Sequence, residues 1–155
     1  EERRKEWALL KMKARICSIN ISKIKGVAKG PVPCVKLIEG FGLEGDAHAG
    51  DKIKQVSLLS LEAIEKAARA LLPGDFAENI TTEGINLSSL KIGDRLRFGQ
   101  NAVIEISKIG KDCHKHCAIY YKIGDCIMPR EGIFARVLKG AEIAIGDNIE
   151  VIENV

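Results

Sequence analysis

The sequence predicts a mostly β fold: a closed or barrel-like sheet of short strands, with one main helix and helical decoration. Three observations predict it. Short runs of alternating apolar and polar residues recur along the chain, glycine-bearing turns separate them, and a single long stretch carries a helical period. "KARICSINIS" (13–22) is the first strand, with Cys17, Ile19 and Ile21 alternating against polar neighbours. "VPCVKL" (32–37) and the apolar "QVSLL" (55–59) follow as strands. Ser60 caps a helix over "LEAIEKAARALL", with Glu62 near the positive end of its dipole, and Pro73-Gly74 stops it. "AENITTEGI" gives a short strand and a turn. In the C-terminal half "LKIGDRLRF" (90–98) and "IAIGDNIEV" (143–151) echo each other, each a Gly-Asp turn feeding an alternating strand, with "AVIEISKI" (102–109) between them. One shared short segment is too little for a solenoid.

The 155 residues suit one domain with a core that needs no disulfide staples. Residues 1–11 read as an N-terminal extension outside the fold, with a short docking helix that sets Trp7, Leu10 and Ala14 on one face as the competing reading, and 12–155 as the domain. The first 15 residues hold six Lys or Arg and three Glu, which accounts for the whole net charge of +3. That leaves 18 basic and 18 acidic residues for the remainder, and aromatics make up only 5%. Nucleic-acid binding uses basic stripes or stacking platforms, so no nucleic-acid partner is expected. No run approaches the roughly 18 apolar residues of a membrane span, and "EERRKEWALLKMKAR" has no signal-peptide core. The expectation is a cytoplasmic chain without a membrane partner, whose five cysteines act as core residues, ligands or reactive thiols.

Four segments carry chemistry. "GKDCHKHCAIYYKIGDCIMP" (110–129) holds three cysteines and two histidines. Cys113, His114, His116, Cys117 and Cys126 could supply a zinc cage, although Cys113-x-x-x-Cys117 is not the usual tight knuckle and has no matching second pair. Alternatively Cys113, set among Lys111, Asp112, His114 and Lys115, is a nucleophile or a metal ligand, because nearby cations favour the thiolate. In "GLEGDAHAGD" (42–51), Gly45 and Gly50 flank Asp46 and His48, a spacing that lets backbone N–H groups converge on an anion; an ordinary surface turn is the competing reading. "PGDFAENITTEGINL" (73–87) offers Asn79, Thr81 and Thr82 as hydrogen-bonding groups, and "MPREGIFARVL" (128–138) offers Arg130 and Arg136 as phosphate forks or surface ion-pair partners. No Walker A or dinucleotide fingerprint is present.

Taken in order, "GLEGDAHAG", "QVSLLSLEAIE", "GDFAENITTEGINL", "GKDCHKHCAI", "GDCIMPREGIFARVL" and "GDNIEV" resemble MOSC domains, relatives of the C-terminal domain of molybdenum-cofactor sulfurase. The resemblance runs from about Met12 to Ile152. It implies a β-rich barrel-like domain with a cleft. It also implies binding of molybdenum cofactor (molybdopterin), either transiently or as a bound group, or handling of sulfur for it. Cys113 matches the family cysteine that carries a persulfide or ligates molybdenum, so it is both the catalytic and the metal candidate. His48 matches the histidine of Gly-Asp-x-His-x-Gly, and Asn79 the asparagine of Glu-Asn. On this basis Gly45, Asp46, His48, Gly50, Lys54, Asn79 and Arg130 are the cofactor-binding set. Lys54 stands where many members have Arg, which keeps the charge and loses the fork. No pyridoxal-phosphate site is expected in this chain. The implied function is a cofactor-binding sulfur carrier in molybdoenzyme maturation, sulfurtransferase-like, fed by a cysteine desulfurase and serving a molybdoenzyme. A molybdenum-dependent reductase of N-hydroxylated compounds and a zinc-binding structural module are the alternatives.

Overall fold

The computed structural model describes residues 13–67, 72–110 and 127–152. The elements are β1 (Arg15–Ile21), β2 (Gly30–Val32), β3 (Cys34–Ile38), β4 (Gly42–Leu43), β5 (Val56–Ser60), α1 (Leu61–Ala67), β6 (Ile80–Glu83), a 3-10 turn (Leu87–Ser89), β7 (Arg95–Phe98), β8 (Ala102–Ile109), α2 (Met128–Glu131), β9 (Ile133–Lys139), β10 (Ala141–Ala144) and β11 (Ile149–Ile152). Eight strands form one mixed sheet in the order β11-β7-β8-β9-β5-β6-β1-β2, and β10-β3-β4 form a second. The apolar faces of both sheets share one core that includes Ile16, Leu37, Leu58, Ile80, Phe98, Ile104 and Ile143. A smaller cluster of Leu59, Ile64, Phe76, Ala77, Ile127, Met128 and Phe134 joins α1, the 72–77 turn and α2 to the sheet.

The predicted strands are present, and Ser60 Oγ accepts the Ala63 amide at 3.1 Å as the expected helix cap. The closed barrel is not found among the described residues. Where β1 and β11 would meet, an isolated bridge at Arg15–Asn148 takes the place of a strand pair: Ile149 N donates to Ala14 O at 3.0 Å and Ile16 N to Asp147 O at 2.9 Å. β2 occupies the rest of that edge of β1, pairing at Ile19–Val32 and Ile21–Gly30. The core is therefore covered by the second sheet and not by ring closure. Helical decoration is minimal: beyond α1, the described residues add one 3-10 turn and the four-residue α2.

Strand β1 departs from simple alternation. A register shift between Ile16 and Ser18 against β6 places both Ile16 and Ile19 in the core. Such a bulge turns Cys17 off the face that alternation assigned it. Cys17 is half-buried, and burial, with Glu83 and Glu62 nearby, pushes its thiol up to about 11. It stays protonated and unreactive at neutral pH.

The two echoed segments have equivalent turns and pair with each other. Gly93 (φ 97°) and Gly146 (φ 95°) each take the left-handed conformation. Asp94 Oδ2 then accepts from Lys91 N at 2.8 Å, and Asp147 Oδ2 from Ala144 N at 2.9 Å. The strands that follow, β7 and β11, run antiparallel with Phe98 opposite Ile149.

Candidate functional site

The loop after β4 and the end of β1 build a buried polar cluster. β2 pairs with the end of β1, so Lys29, immediately before β2, lies beside Ser22. Lys29 Nζ donates to Asp46 Oδ1 at 2.8 Å and to Ser22 Oγ at 3.1 Å, and it lies 3.3 Å from His48 Nδ1. The Lys29 and Asp46 side chains are fully buried, whereas His48 keeps 11% exposure. Asp46 also accepts from Ser22 N at 3.1 Å and His48 N at 3.0 Å. Burial works against the Asp46 charge, but hydrogen bonds from His48 and Lys29 more than offset it and hold the carboxyl well below the usual carboxylate range. An unprotonated Nδ1 accepts from the ammonium; a protonated ring would set a second cation beside Lys29 and turn Nδ1–H toward Asp46, 3.6 Å away.

This geometry changes the reading of the glycine loop. Its amides do not converge on an open anion site. Asp46 N donates to Leu43 O, Ala47 N to Ser22 O, Ala49 N to Asp46 O, Gly50 N to Phe41 O and Asp51 N to His48 O. Gly45 (φ 84°) and Gly50 (φ 90°) let the chain turn back through these bonds. Asp46 is committed to Lys29. Of the Asp46–His48–Lys29 group, His48 is the member a ligand can reach. Sequence reasoning missed Lys29, since a lysine before Gly-Pro reads as a surface turn.

Lys54 is placed differently. Its amide donates to Asp51 Oδ1 at 2.8 Å, and its ammonium lies 5.6 Å from the centroid of the Phe134 ring, a cation–π geometry. No described carboxylate forms an ion pair with it. Phe134 belongs to the cluster containing Ile127 and Met128, where the chain returns from the cysteine-rich segment. The other end of that segment is tied to the same place, because Gly110 N donates to Gly132 O at 2.7 Å. Cys113, with His114, His116, Cys117 and Cys126, lies outside the described residues, as does the Arg130 side chain. Among the described residues no group of three His, Cys, Asp or Glu could hold a metal ion.

Asn79 faces inward and is fully buried. Its Oδ1 accepts from Ser57 N at 3.0 Å and Ser57 Oγ at 3.1 Å, and its Nδ2 donates to Asn20 O at 3.2 Å. These bonds tie β5 to β1 across the start of β6. The neighbouring Glu78 is also fully buried: Oε2 accepts from Gly74 N and Thr81 Oγ1, and Oε1 has no partner among the described residues. Burial pushes its carboxyl up. The fold thus favours the neutral form more than the unfolded chain does. Stability from this group is complete below the ordinary Glu value, near 4.3, and is lost as pH rises through the folded value. We expect Glu78→Gln to stabilise the protein at pH 8 and to leave it little changed at pH 4, read by urea denaturation at both pH values. Equal effects at the two would refute this.

A hollow of about 750 Å³ lies beyond the C-terminal ends of β5 and β6 and is lined by Ser60, Glu62, Lys66, Glu83, Asn86 and Glu131 among others. Its three carboxylates against one lysine make it a poor host for a phosphate.

For an anionic pterin, then, the fit rests mainly on side chains: the Lys54 ammonium and the accessible edge of His48 are suitable donors, while most of the loop amides are bonded to carbonyls or to Asp46. No described helix is long and apolar enough to cross a membrane.

The fold has counterparts among solved structures. The YuaD protein from Bacillus subtilis aligns with a TM-score of 0.74 at 21% identity, over 93% of this chain and 98% of that one. YiiM from Geobacillus stearothermophilus aligns at 0.69 and 23%, over 90% and 75%, and YiiM from Escherichia coli at 0.64 and 20%, over 92% and 70%. No curated protein matches the sequence. The family model for the MOSC domain matches residues 44–150, a span that takes in the Asp46–His48 loop, Lys54 and the cysteine-rich segment, and the chain accordingly belongs to the MOSC domain family.

Proposed function

We propose that this domain binds molybdenum cofactor or its precursor and carries sulfur for it on Cys113, as an accessory in molybdoenzyme maturation. The observation that carries the reading is the family match, which spans both the His48 loop and Cys113. Lys54 supports it: an ammonium without an ion-pair partner among the described residues rests on the ring beside which the cysteine-rich segment rejoins the sheet. In this reading Lys54 holds the pterin phosphate as a point charge, with His48 and Arg130 as further donors. The bound molybdenum supplies a soft centre with affinity for sulfur. Cys113 carries the sulfur as a persulfide or binds as thiolate, and Lys111 and Lys115, its near neighbours in sequence, favour the ionised sulfur. A cysteine desulfurase is the donor and a molybdoenzyme the recipient.

Mass spectrometry of freshly isolated protein tests this. An added sulfur atom is expected on the wild type and on Cys117→Ser, and none on Cys113→Ser. Retention of the sulfur in Cys113→Ser, or stoichiometric zinc lost only in that variant, sinks the proposal.

A further inference from the structure

The tripeptide Lys-Ile-Lys occurs twice, at 23–25 and 52–54, and the fold brings the two copies together. Ser22 accepts from Ala47 N through its carbonyl at 2.7 Å and donates its own amide to Asp46 at 3.1 Å, which fastens the first copy to the loop leading into the second. Ser22 Oγ also donates to Ile24 O at 2.8 Å. The second copy is fixed by Asp51 Oδ1, which accepts from Ile53 N at 2.9 Å and Lys54 N at 2.8 Å. The Asp51 carboxyl is held below its ordinary range by those two amides and then by Lys25 and Lys54, so the first copy lies within electrostatic reach of the second. Ile24 is 66% exposed and Ile53 47%. Lys23, Lys25 and Lys52 are exposed too, and none of the four lysines forms an ion pair with a described residue.

We propose that these paired loops form a docking surface for an acidic patch on a partner protein. Charge complementarity selects the occupant: four lysines surround two isoleucines and a single carboxylate, a local excess of basic charge on a stretch beyond residue 15 whose charges balance in total. The hydrogen-bonded loops hold these groups in place before contact, which limits the ordering entropy lost on binding. Asp51, set between the lysines, disfavours an anionic lipid surface, whereas a folded partner can answer it with a donor. Salt-sensitive steering comes from the lysines and the apolar contact from Ile24 and Ile53. The surface stands on its own geometry. Lys54 also belongs to the proposed phosphate set, so it is left intact in the test.

The test uses the full chain and a fluorescein-labelled peptide alternating glutamate and leucine, followed by anisotropy at two salt concentrations. Lys23→Glu/Lys25→Glu/Lys52→Glu is expected to weaken binding on the order of tenfold or more. The charge-matched control Lys66→Glu/Lys91→Glu/Lys139→Glu, on exposed sites elsewhere, is expected to change it less than about twofold. Ile24→Ser/Ile53→Ser is expected to weaken it several-fold at both salt concentrations. Equal losses in the two triple variants overturn the proposal. So does wild-type binding to phosphatidylserine vesicles with none to the peptide, which would assign the surface to membranes.

Discussion

Replacing Lys29 with methionine is expected to destabilise the protein by about 3–5 kcal/mol, the usual loss when one partner of a buried ion pair is removed. Both side chains of the Lys29–Asp46 pair are fully buried at 2.8 Å. Without the ammonium, Asp46 must ionise unpaired in the interior or take up a proton. A pH signature accompanies the loss. In the wild type the Asp46 carboxyl is held below its unfolded value, so its stability contribution is present above pH 4 or so and is lost as pH falls. That acid-side decline should flatten in Lys29→Met. The double variant Lys29→Met/Asp46→Leu should recover part of the loss, because a buried pair can be exchanged for apolar packing at little net change. Urea denaturation of the three proteins between about pH 2 and pH 8 checks this, the flattening being read below about pH 4. A loss under about 1 kcal/mol would mean that the pair is hydrated in solution.

Asn79→Ala is expected to cost about 2–4 kcal/mol, since removing its amide orphans several buried groups at once. The Ser57 amide and hydroxyl lose an acceptor, and Asn20 O loses a donor. The damage should spread beyond one turn, because these bonds link β5 and β1. Asn79→Asp, which keeps the acceptor for Ser57 and loses the donor to Asn20, discriminates further. Thermal melts with and without pterin phosphate separate the two roles considered for this residue. A purely structural Asn79 lowers the melting temperature and leaves the ligand-induced shift intact, whereas a ligand contact lowers the shift.

These two residues also show what the sequence could and could not reveal. Strands with strict alternation, such as Ala102–Ile109, were legible because burial on one face imposes a period of two. So were the Gly-Asp turns, since few other residues accept the left-handed conformation. Cys17 was assigned to the wrong face because a bulge depends on the partner strand, which local pattern does not encode. Closure of the sheet was likewise invisible: whether β1 meets β11 is decided by where β2 docks. The glycine loop was recognised as special, but its amides were expected to face a ligand and most of them are instead bonded to carbonyls and an aspartate. Lys29 was missed for the same reason, its partner lying 17 residues away on another loop. Family resemblance singled out the candidate segments, and geometry divided the described ones into framework and accessible groups.

The seam between Ala14–Ile16 and the stretch ahead of β11 has a kinetic consequence. Those hydrogen bonds join segments separated by nearly the whole described chain, so the loop-closure entropy they require falls due only after the intervening hairpins have assembled. The seam should zip last during refolding and open first under native-state hydrogen exchange.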